Sequence, residues 1–385
     1  MVKVLLQVPN TPTWVGGLNY FVNLCEALNT LNSTEIEPVI FNDNSLLPPP
    51  LCNYQSLRWP DRKRNGLIFD YCYRFFGKIN KYFRHQNDFI SFLLKNNISL
   101  FSHGYPLGKT SPIPSLCWIP DFQHRYLPQF FTKKEIKDRN KHHNNIADNS
   151  NALLFSSNIA LNDFRKFHAD STCSTYVLHF VAVPYSGSAL YYEKVLNKYS
   201  ITEPFLHVPN QLWAHKNHMV IVEALRICQS RGKCPLVIST GLKNDYRNPG
   251  YFRELSQKVR EYGLEERLRF LGLIEYENVA LLMRQSVCIV NPSLFEGWST
   301  TVEEGKSLGK KILLSDIPVH REQSPERGLY FPSNDPEALA ELMLHTINNY
   351  NQIEENESME KAKVDLPTRM KRFASEYEMI VKDII

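Results

Sequence analysis

The sequence predicts an α/β protein of two domains, each built on a doubly wound parallel sheet. Short, continuously apolar runs alternate with amphipathic stretches over most of the chain, which is typical of parallel strands covered by helices on both faces. The 385 residues suit two domains, since a domain holds about 150 residues. The strand–helix alternation occurs on both sides of a less periodic segment, which predicts one sheet in each half.

The first half contains a series of apolar runs that we interpret as strands. A helix is expected over 17–31, directly after the first run, because its apolar residues recur on one side. The expected strands are 2–8, 37–41, 99–102, 115–119, 152–156 and 176–183.

The second half repeats the alternation more cleanly. Strands are expected at 205–209, 235–239, 268–271, 287–291, 311–315 and 328–331. Helices are expected at 217–231, 250–263, 278–284, 299–308 and 336–350. The domains are therefore placed at 1–184 and 203–366, with a linker over 185–202 and a C-terminal helix over 367–385 that can pack back on the first domain. Two such domains facing one another would leave a central cleft at the carboxyl ends of the strands.

Composition excludes several classes of protein. A net charge of +4 does not argue for nucleic acid as a partner. None of the eight cysteines forms a C-x-x-C pair or has zinc spacing, which favours buried thiols in a reducing compartment. The N-terminus lacks a secretion signal, and no apolar run approaches about 18 residues, so a cytoplasmic location is expected.

The most informative stretch is 287–310, VCIVNPSLFEGWSTTVEEGKSLGK. An apolar strand is followed by a loop and then by a helix whose start is rich in hydroxyl residues. Unpaired backbone N–H groups and the helix dipole make such a start an anion site, and a diphosphate fits there. The residues of this loop and helix start that are expected to bind the donor are Glu296, Gly297, Trp298, Ser299, Thr300 and Thr301.

Glu296 and Glu304 are separated by seven residues, one on the loop and one on the helix. Two carboxylates so placed can accept hydrogen bonds from hydroxyls at two ends of a sugar nucleotide, although an isolated pair also suits a solvated helix start. With its flanking sequence, the stretch resembles the E-x7-E motif of the family 4 retaining glycosyltransferases (glycosyltransferase group 1), which have the GT-B fold of two Rossmann-like domains. The resemblance implies that Glu296 contacts the donor sugar and Glu304 the ribose.

Lys216 lies at a predicted strand-to-helix turn within 204–225, where a lysine can reach a phosphate. An ordinary surface lysine is the alternative. In the family this turn carries a lysine and an arginine that hold the diphosphate, and Lys216 matches the lysine. The arginine is missing. Asn210 and Gln211 stand near its place, and His215 or another cation is the candidate replacement.

The segment after the strand at 268–271 lines the base pocket in the family. Leu273 and Ile274 are therefore candidates for contact with the nucleotide base. Plain core packing is the alternative for both side chains.

In the first half, Gly16 and Gly17 lie at the start of a predicted helix. Such a pair either forms an ordinary turn or lets a ligand approach the backbone closely. Their position resembles the glycine loop of the family.

After the strand at 115–119, Asp121 matches an aspartate of the family and could orient the acceptor hydroxyl or accept its proton, or could cap a helix. Further acceptor-side candidates are His103, Gln123 and His124.

The stretch 58–84 combines basic and aromatic residues. Such a segment suits a lipid headgroup surface, and hence peripheral contact with a membrane, or an anionic acceptor. It equally suits a helix whose aromatic side chains face the core of a domain.

The resemblance implies a retaining glycosyltransferase that moves a hexose from a GDP- or UDP-linked donor to a glycan or lipid-linked acceptor, in surface polysaccharide or glycoconjugate synthesis. Glu296, Asp121 and Lys216 are the expected catalytic residues. The absence of a D-x-D pair predicts transfer without a metal or other cofactor. The alternatives are a sugar-nucleotide epimerase or phosphorylase of the same fold, and a silent subunit that binds a sugar nucleotide.

Overall fold

The computed structural model describes residues 1–9, 15–31, 34–41, 47, 49–59, 79–185 and 189–385. The chain forms two compact units. The first unit contains Met1–Val181 together with Pro367–Ile385, and the second contains Ala182–Leu366.

The described part of the first unit holds a seven-stranded parallel sheet with the strand order β3-β2-β1-β4-β5-β6-β7. The strands are β1 (Val2–Gln7), β2 (Ile36–Phe41), β3 (Ser56–Leu57), β4 (Leu100–Ser102), β5 (Ser115–Ile119), β6 (Ala152–Phe155) and β7 (Ser174–Val177). The helices are α1 (Val15–Leu28), α2 (Ile79–Lys95), α3 (Gln123–Tyr126), α4 (Lys133–Asn149) and α5 (Asn158–Phe167). Leu5, Phe41 and Phe101 are fully buried in the core beneath the sheet.

The described part of the second unit holds a six-stranded parallel sheet with the order β10-β9-β8-β11-β12-β13. The strands are β8 (Phe205–Val208), β9 (Leu236–Thr240), β10 (Leu268–Gly272), β11 (Cys288–Asn291), β12 (Ile312–Ser315) and β13 (Gly328–Phe331). The helices are α6 (Ala189–Lys198), α7 (His218–Ser230), α8 (Tyr251–Glu261), α9 (Tyr276–Gln285), α10 (Thr300–Ser307), α11 (Pro318–Gln323) and α12 (Pro336–Asn348), and a single 3₁₀ turn spans Ala214–Lys216.

The strand order reverses once in each sheet, and this positions the loops that matter for function. In the second sheet β8 and β11 are neighbours although they are not consecutive in the chain. In the first sheet the same holds for β1 and β4. In doubly wound sheets ligands bind at the carboxyl ends of the strands beside such a reversal. We call this edge of each sheet its carboxyl edge.

The last helix, α13 (Gln352–Ile384), runs through the boundary between the units, and Pro367 lies inside it. Its first part is held in the second unit by Glu355, which is 2% exposed and pairs with Lys310 and, at 2.7 Å, with Arg327. Its last part belongs to the first unit, where Tyr377 is fully buried. The buried charge of Glu355 is therefore balanced by the two basic side chains that it pairs with.

Four features differ from the sequence-based expectation. Residues 185–202, expected as a linker, contain α6, whose apolar side packs on the core of the second unit. The apolar run 176–183 forms a strand only to Val177, although Phe180 and Ala182 are buried. The C-terminal helix, expected over 367–385, already begins at Gln352. Helix α1, expected from residue 17, already begins at Val15, so the two glycines at 16 and 17 both lie within its first turn.

Candidate functional site

Two loops meet at the carboxyl edge of the second sheet. One follows β8 and contains Lys216, and the other follows β11 and contains Glu296. Asn217 joins them: its backbone is left-handed (φ 58°), and its side-chain amide donates to the carbonyl of Pro292 at 3.2 Å. An asparagine tolerates this conformation better than most residues. The reversal of strand order thus brings residues about 80 positions apart into one site.

Lys216 and Glu296 form a largely buried ion pair at the centre of this edge. The Lys216 Nζ lies 2.6 Å from the Glu296 Oε1, and the side chains are 16% and 10% exposed. The Ser293 hydroxyl donates to the same oxygen at 2.7 Å. Burial raises the pKa of Glu296, but the charge of Lys216 and these hydrogen bonds outweigh it, so the pKa lies below its ordinary value. Glu296 is therefore ionised at neutral pH.

Uncharged side chains next to the ion pair form a network of hydrogen bonds that links the two loops. The side-chain amide of Asn291, at the end of β11, donates to the Ser299 Oγ at 2.8 Å. Its Oδ1 accepts from the Asn210 side-chain amide at 3.1 Å and lies 2.8 Å from the Ser293 Oγ. The Thr301 hydroxyl donates to the Asn210 Oδ1 at 3.0 Å. Asn210 is thus a structural bridge between the loops, and both the nitrogen and the oxygen of its side-chain amide take part in it.

The start of α10 is fixed by its cap. The Ser299 Oγ accepts from the Val302 amide at 3.4 Å. The Gln323 side chain binds both backbone groups of Ser299, accepting from N–H at 3.1 Å and donating to the carbonyl at 3.0 Å. The other backbone N–H groups at the start of a helix have no carbonyl partner within the helix, as an anion site requires. Thr300, Gly297 and Trp298 are half-buried beside it.

Glu304 lies on α10, eight residues beyond Glu296, and has a different environment. It is 6% exposed, and the hydroxyl of Tyr276 donates to its Oε1 at 2.6 Å. Burial raises the pKa of Glu304 to about 7, and the Tyr276 hydrogen bond opposes part of that rise. The two glutamates of the motif therefore differ in charge state near neutral pH.

The histidines at this edge are neutral. Burial, with a smaller contribution from the positive charge of Lys216, lowers the pKa of His215 to about 3. His215 therefore does not supply the missing positive charge, contrary to one of the two replacements that the sequence suggested. Burial also lowers the pKa of His320, whose Nδ1 lies 2.9 Å from the Ser315 carbonyl.

The two candidates for base contact behave differently. Leu273 is 66% exposed. Ile274 packs against the apolar cluster that includes Phe205 and Ile238. Core packing therefore accounts for Ile274, whereas Leu273 is available to a ligand.

At the carboxyl edge of the first sheet, the described polar groups bind one another. The Tyr20 hydroxyl lies 2.7 Å from the His103 Nε2, and the Ser102 Oγ lies 2.8 Å from its Nδ1. Tyr377 donates to Ser102 at 2.9 Å, and Trp118 stacks on Tyr20 with ring centroids 4.8 Å apart. Burial lowers the pKa of His103 to about 3, so this network carries no charge.

Asp121 follows β5 and accepts a hydrogen bond from the Gln123 amide at 2.8 Å. Gln123 and His124 are buried in the short helix α3, and the His124 Nε2 lies 3.0 Å from the Asn140 Oδ1. The aspartate thus makes the turn-type contact that the sequence allowed as an alternative. The acceptor-side roles of these residues remain predictions.

Most of the basic and aromatic stretch 58–84 lies outside the described residues. Of its aromatic residues, Trp59 packs on Phe89 and Phe92, with ring centroids 5.0 and 5.1 Å apart. This residue faces the core. Among the described residues, no helix is long and apolar enough to cross a membrane.

Sequence reasoning missed Ser293, Tyr276 and Asn291 as members of the site. Ser293 stands between the end of β11 and Glu296 in the run NPSLFE, so its position in the loop was the available signal. Tyr276 is the first residue of α9, and no spacing rule links it to Glu304.

Residues 194–364, all within the second unit, match the family model of the glycosyl transferases group 1. A crystallised glycosyltransferase of Rickettsia africae has a similar structure, with a TM-score of 0.70 and 15% identity over 100% of this chain and 98% of that one. The Anabaena protein HepE, crystallised with UDP and glucose, gives a TM-score of 0.65 at 15% identity over 100% and 98% of the two chains. The expected GT-B fold of two Rossmann-like domains is thereby confirmed.

Curated relatives match over shorter stretches. The alpha-1,3/1,6-mannosyltransferase of Dictyostelium discoideum is 36% identical over 74 residues, which are 19% of this chain and 17% of the relative. The O-antigen chain mannosyltransferase RfbU of Salmonella typhimurium is 25% identical over 123 residues, which are 32% and 33% of the two chains. The chain thus matches a third or less of the length of these relatives.

Proposed function

We propose that this protein is a retaining glycosyltransferase of the family 4 type that transfers a hexose from a nucleoside-diphosphate sugar to a glycan or lipid-linked acceptor. The observation that carries the proposal is the Lys216–Glu296 ion pair at the reversal point of the second sheet, with Glu304 eight residues after Glu296. The match of residues 194–364 to the glycosyl transferases group 1 supports it.

In this proposal the donor diphosphate lies against Lys216 and the first turn of α10. A phosphate oxygen replaces the Glu296 carboxylate as the partner of the ammonium group, and backbone N–H groups after Ser299 bind the same ligand. Glu296, released from the lysine, accepts a hydrogen bond from a hydroxyl of the donor sugar. Glu304 accepts hydrogen bonds from the ribose. Lys216 thus keeps a negatively charged partner, and Glu296 keeps hydrogen bonds from Ser293 and the sugar hydroxyl.

The proposed reaction proceeds on one face of the sugar. The bond from the anomeric carbon to the diphosphate breaks, and the acceptor oxygen forms a new bond on the same face. The acceptor proton passes to the departing phosphate oxygen. Lys216 and the N–H groups of α10 stabilise the negative charge that builds on the leaving group, a role that needs no metal ion. Asp121 remains the proposed acceptor-side catalytic residue.

The relatives favour two donors. Two curated relatives are mannosyltransferases, which supports a GDP-linked mannose. The Anabaena protein was crystallised with UDP and glucose, which supports a UDP-linked hexose as the second choice. The Salmonella relative acts on O-antigen chains, which supports synthesis of a surface polysaccharide or glycoconjugate.

A thermal-shift screen of the full chain against UDP, GDP, dTDP, ADP and their common hexose derivatives tests the proposal. A donor at about 100 times its Kd adds about 2.7 kcal/mol to the free energy of unfolding. We expect the derivatives of one nucleotide to give the largest shift. The matching nucleotide sugar should be turned over only when an acceptor is present, and the reaction should proceed in EDTA. NMR of the product should show that the anomeric configuration is retained. No shift with any nucleotide would contradict the proposal, and turnover without acceptor would favour an epimerase.

A further inference from the structure

The loop that follows β9 is bound to the loop that carries Lys216. The Leu242 amide donates to the Gln211 Oε1 at 2.7 Å, and the Leu242 carbonyl accepts from the Leu212 amide at 3.0 Å. The Ala214 amide donates to the Asp245 Oδ2 at 2.9 Å. These three hydrogen bonds hold the β9 loop beside the phosphate-side turn.

A glycine allows the two loops to approach so closely. Gly241, directly after β9, has a φ of +141°, which side-chain-bearing residues rarely adopt. A Cβ atom there would lie 2.3 Å from the carbonyl oxygen of Asn210. The register between the loops is therefore fixed by backbone contact.

The close contact between the two loops places Arg247, a residue of the β9 loop, at the carboxyl edge of the second sheet. The Arg247 amide donates to the Asp245 Oδ1 at 3.0 Å, and the guanidinium lies 5.4 Å from the centroid of the Trp213 ring. Its positive charge is among the causes that lower the pKa of His215, the residue next to Lys216. Backbone and ring contacts together orient the guanidinium before any ligand arrives.

The charge balance of the edge calls for such a group. Lys216 and Glu296 cancel each other, His215 is neutral because it is buried, and the Asp245 carboxylate adds a further acidic group. Asn210 has no charge, and its side chain is occupied by Asn291 and Thr301. A diphosphate carries at least two negative charges, so one lysine that also faces a carboxylate leaves it undercompensated.

We propose that Arg247 is the second cation of the donor site and binds the diphosphate through its paired N–H groups. The inference rests on the proposed function and deepens it. Arginine presents two parallel donors to a phosphate, which a lysine cannot do. The β9 loop thereby supplies from a separate segment what the 210–217 turn does not contain.

Isothermal titration of UDP and GDP into the full chain tests the assignment, with Arg247→Ala, Arg247→Lys and the control Arg260→Ala. Arg260 lies exposed on α8. We expect the nucleotide that binds the wild type to bind Arg247→Ala about 10- to 100-fold more weakly, with Arg247→Lys between the two and the control unchanged. The loss for the matching nucleoside monophosphate should be smaller, which a merely structural role of Arg247 would not produce.

The failures are distinguishable. Wild-type affinity in Arg247→Ala, with binding still weakened by Lys216→Ala, overturns the role of Arg247 and leaves the proposed function standing. No binding of either nucleotide by the wild type overturns both. Circular dichroism spectra check that each variant folds. If Arg247→Ala does not fold, Arg247→Lys carries the test: diphosphate affinity equal to that of the wild type would contradict contact through paired N–H groups.

Discussion

The carboxyl edges of the two sheets are built from opposite kinds of polar group. In the second unit a charged pair, Lys216 and Glu296, lies at the reversal of strand order. In the first unit the equivalent position holds a neutral chain of hydrogen bonds through Tyr20, His103 and Ser102. Both edges are largely buried, so the difference does not arise from solvent exposure.

The difference indicates which edge can exchange its contacts for a charged ligand. A buried ion pair contributes little net stability, because desolvation offsets most of the attraction, and a phosphate can replace its carboxylate. A neutral network that satisfies its own donors and acceptors contributes to stability and gains nothing from an anion. We therefore expect changes in the second unit to affect ligand binding and turnover, and changes in the first network to affect stability.

The largest effect is expected from Glu296→Gln. Removing the carboxylate removes the proposed contact with the donor sugar, and kcat should fall about 10²- to 10³-fold, as for other groups that stabilise a transition state. Steady-state release of nucleoside diphosphate measures this loss. Glu203→Gln is the matched control, since Glu203 pairs with Arg267 at an exposed position. A kcat within twofold of wild type would remove Glu296 from the mechanism.

The pH dependence of stability separates Glu304 from Glu296. The pKa of Glu304 is about 7 in the folded chain, against an ordinary 4.5. Between these values the folded state binds more protons than the unfolded state, so the free energy of unfolding falls as pH rises. The loss above pH 7 is on the order of 3 kcal/mol. In Glu304→Gln, melting between pH 4.5 and 8 should lack this decline, and an unchanged profile would contradict the raised pKa.

Tyr20→Phe tests the neutral network of the first unit. The change leaves the His103 imidazole without its 2.7 Å partner in a buried position. We expect the free energy of unfolding to fall by about 1–3 kcal/mol in urea denaturation, with nucleotide affinity unchanged. A parallel loss of nucleotide affinity would break the contrast between the two edges.

The smallest effect is expected from Tyr276→Phe. The variant removes the 2.6 Å hydrogen bond to Glu304, which opposes the rise in its pKa. The pKa of Glu304 should increase further, and nucleotide affinity at pH 7 should fall by a few fold because less of the carboxylate is ionised. Titrations at pH 7 and pH 8.5 measure this effect. A loss of the same size at both pH values would point to direct contact between Tyr276 and the nucleotide.

The sequence predicted the elements of the second unit closely because its strands are buried on both faces and read as continuous apolar runs. The expected strand 328–331 matches β13 without a shift, and the expected helix 217–231 differs from α7 by one residue at each end. The strand, loop and hydroxyl-rich helix start in 287–310 predicted an anion site, whereas the roles of Glu296, Glu304 and Lys216 came from the resemblance to the family.

Contacts between distant segments could not be predicted. The pairing of Lys216 with Glu296 depends on β8 and β11 being neighbours, and strand order is not encoded in local periodicity. The neutrality of His215 follows from burial, which the polar run around it did not suggest. The helical character of 352–366 was missed because its buried residue is a glutamate that pairs with Lys310, where an apolar stripe would have been recognised.

Calorimetric titration of UDP and GDP into wild type, Lys216→Ala and Lys233→Ala tests the central claim most directly. Lys233 is the control because it is exposed and lies just before the start of β9, at the amino edge of the same sheet. Its ammonium group donates to the Asn348 side chain there. We predict that one nucleotide binds Lys216→Ala about 10- to 100-fold more weakly than wild type and binds the control with full affinity. Equal affinity for wild type and Lys216→Ala would place the diphosphate elsewhere and contradict the account.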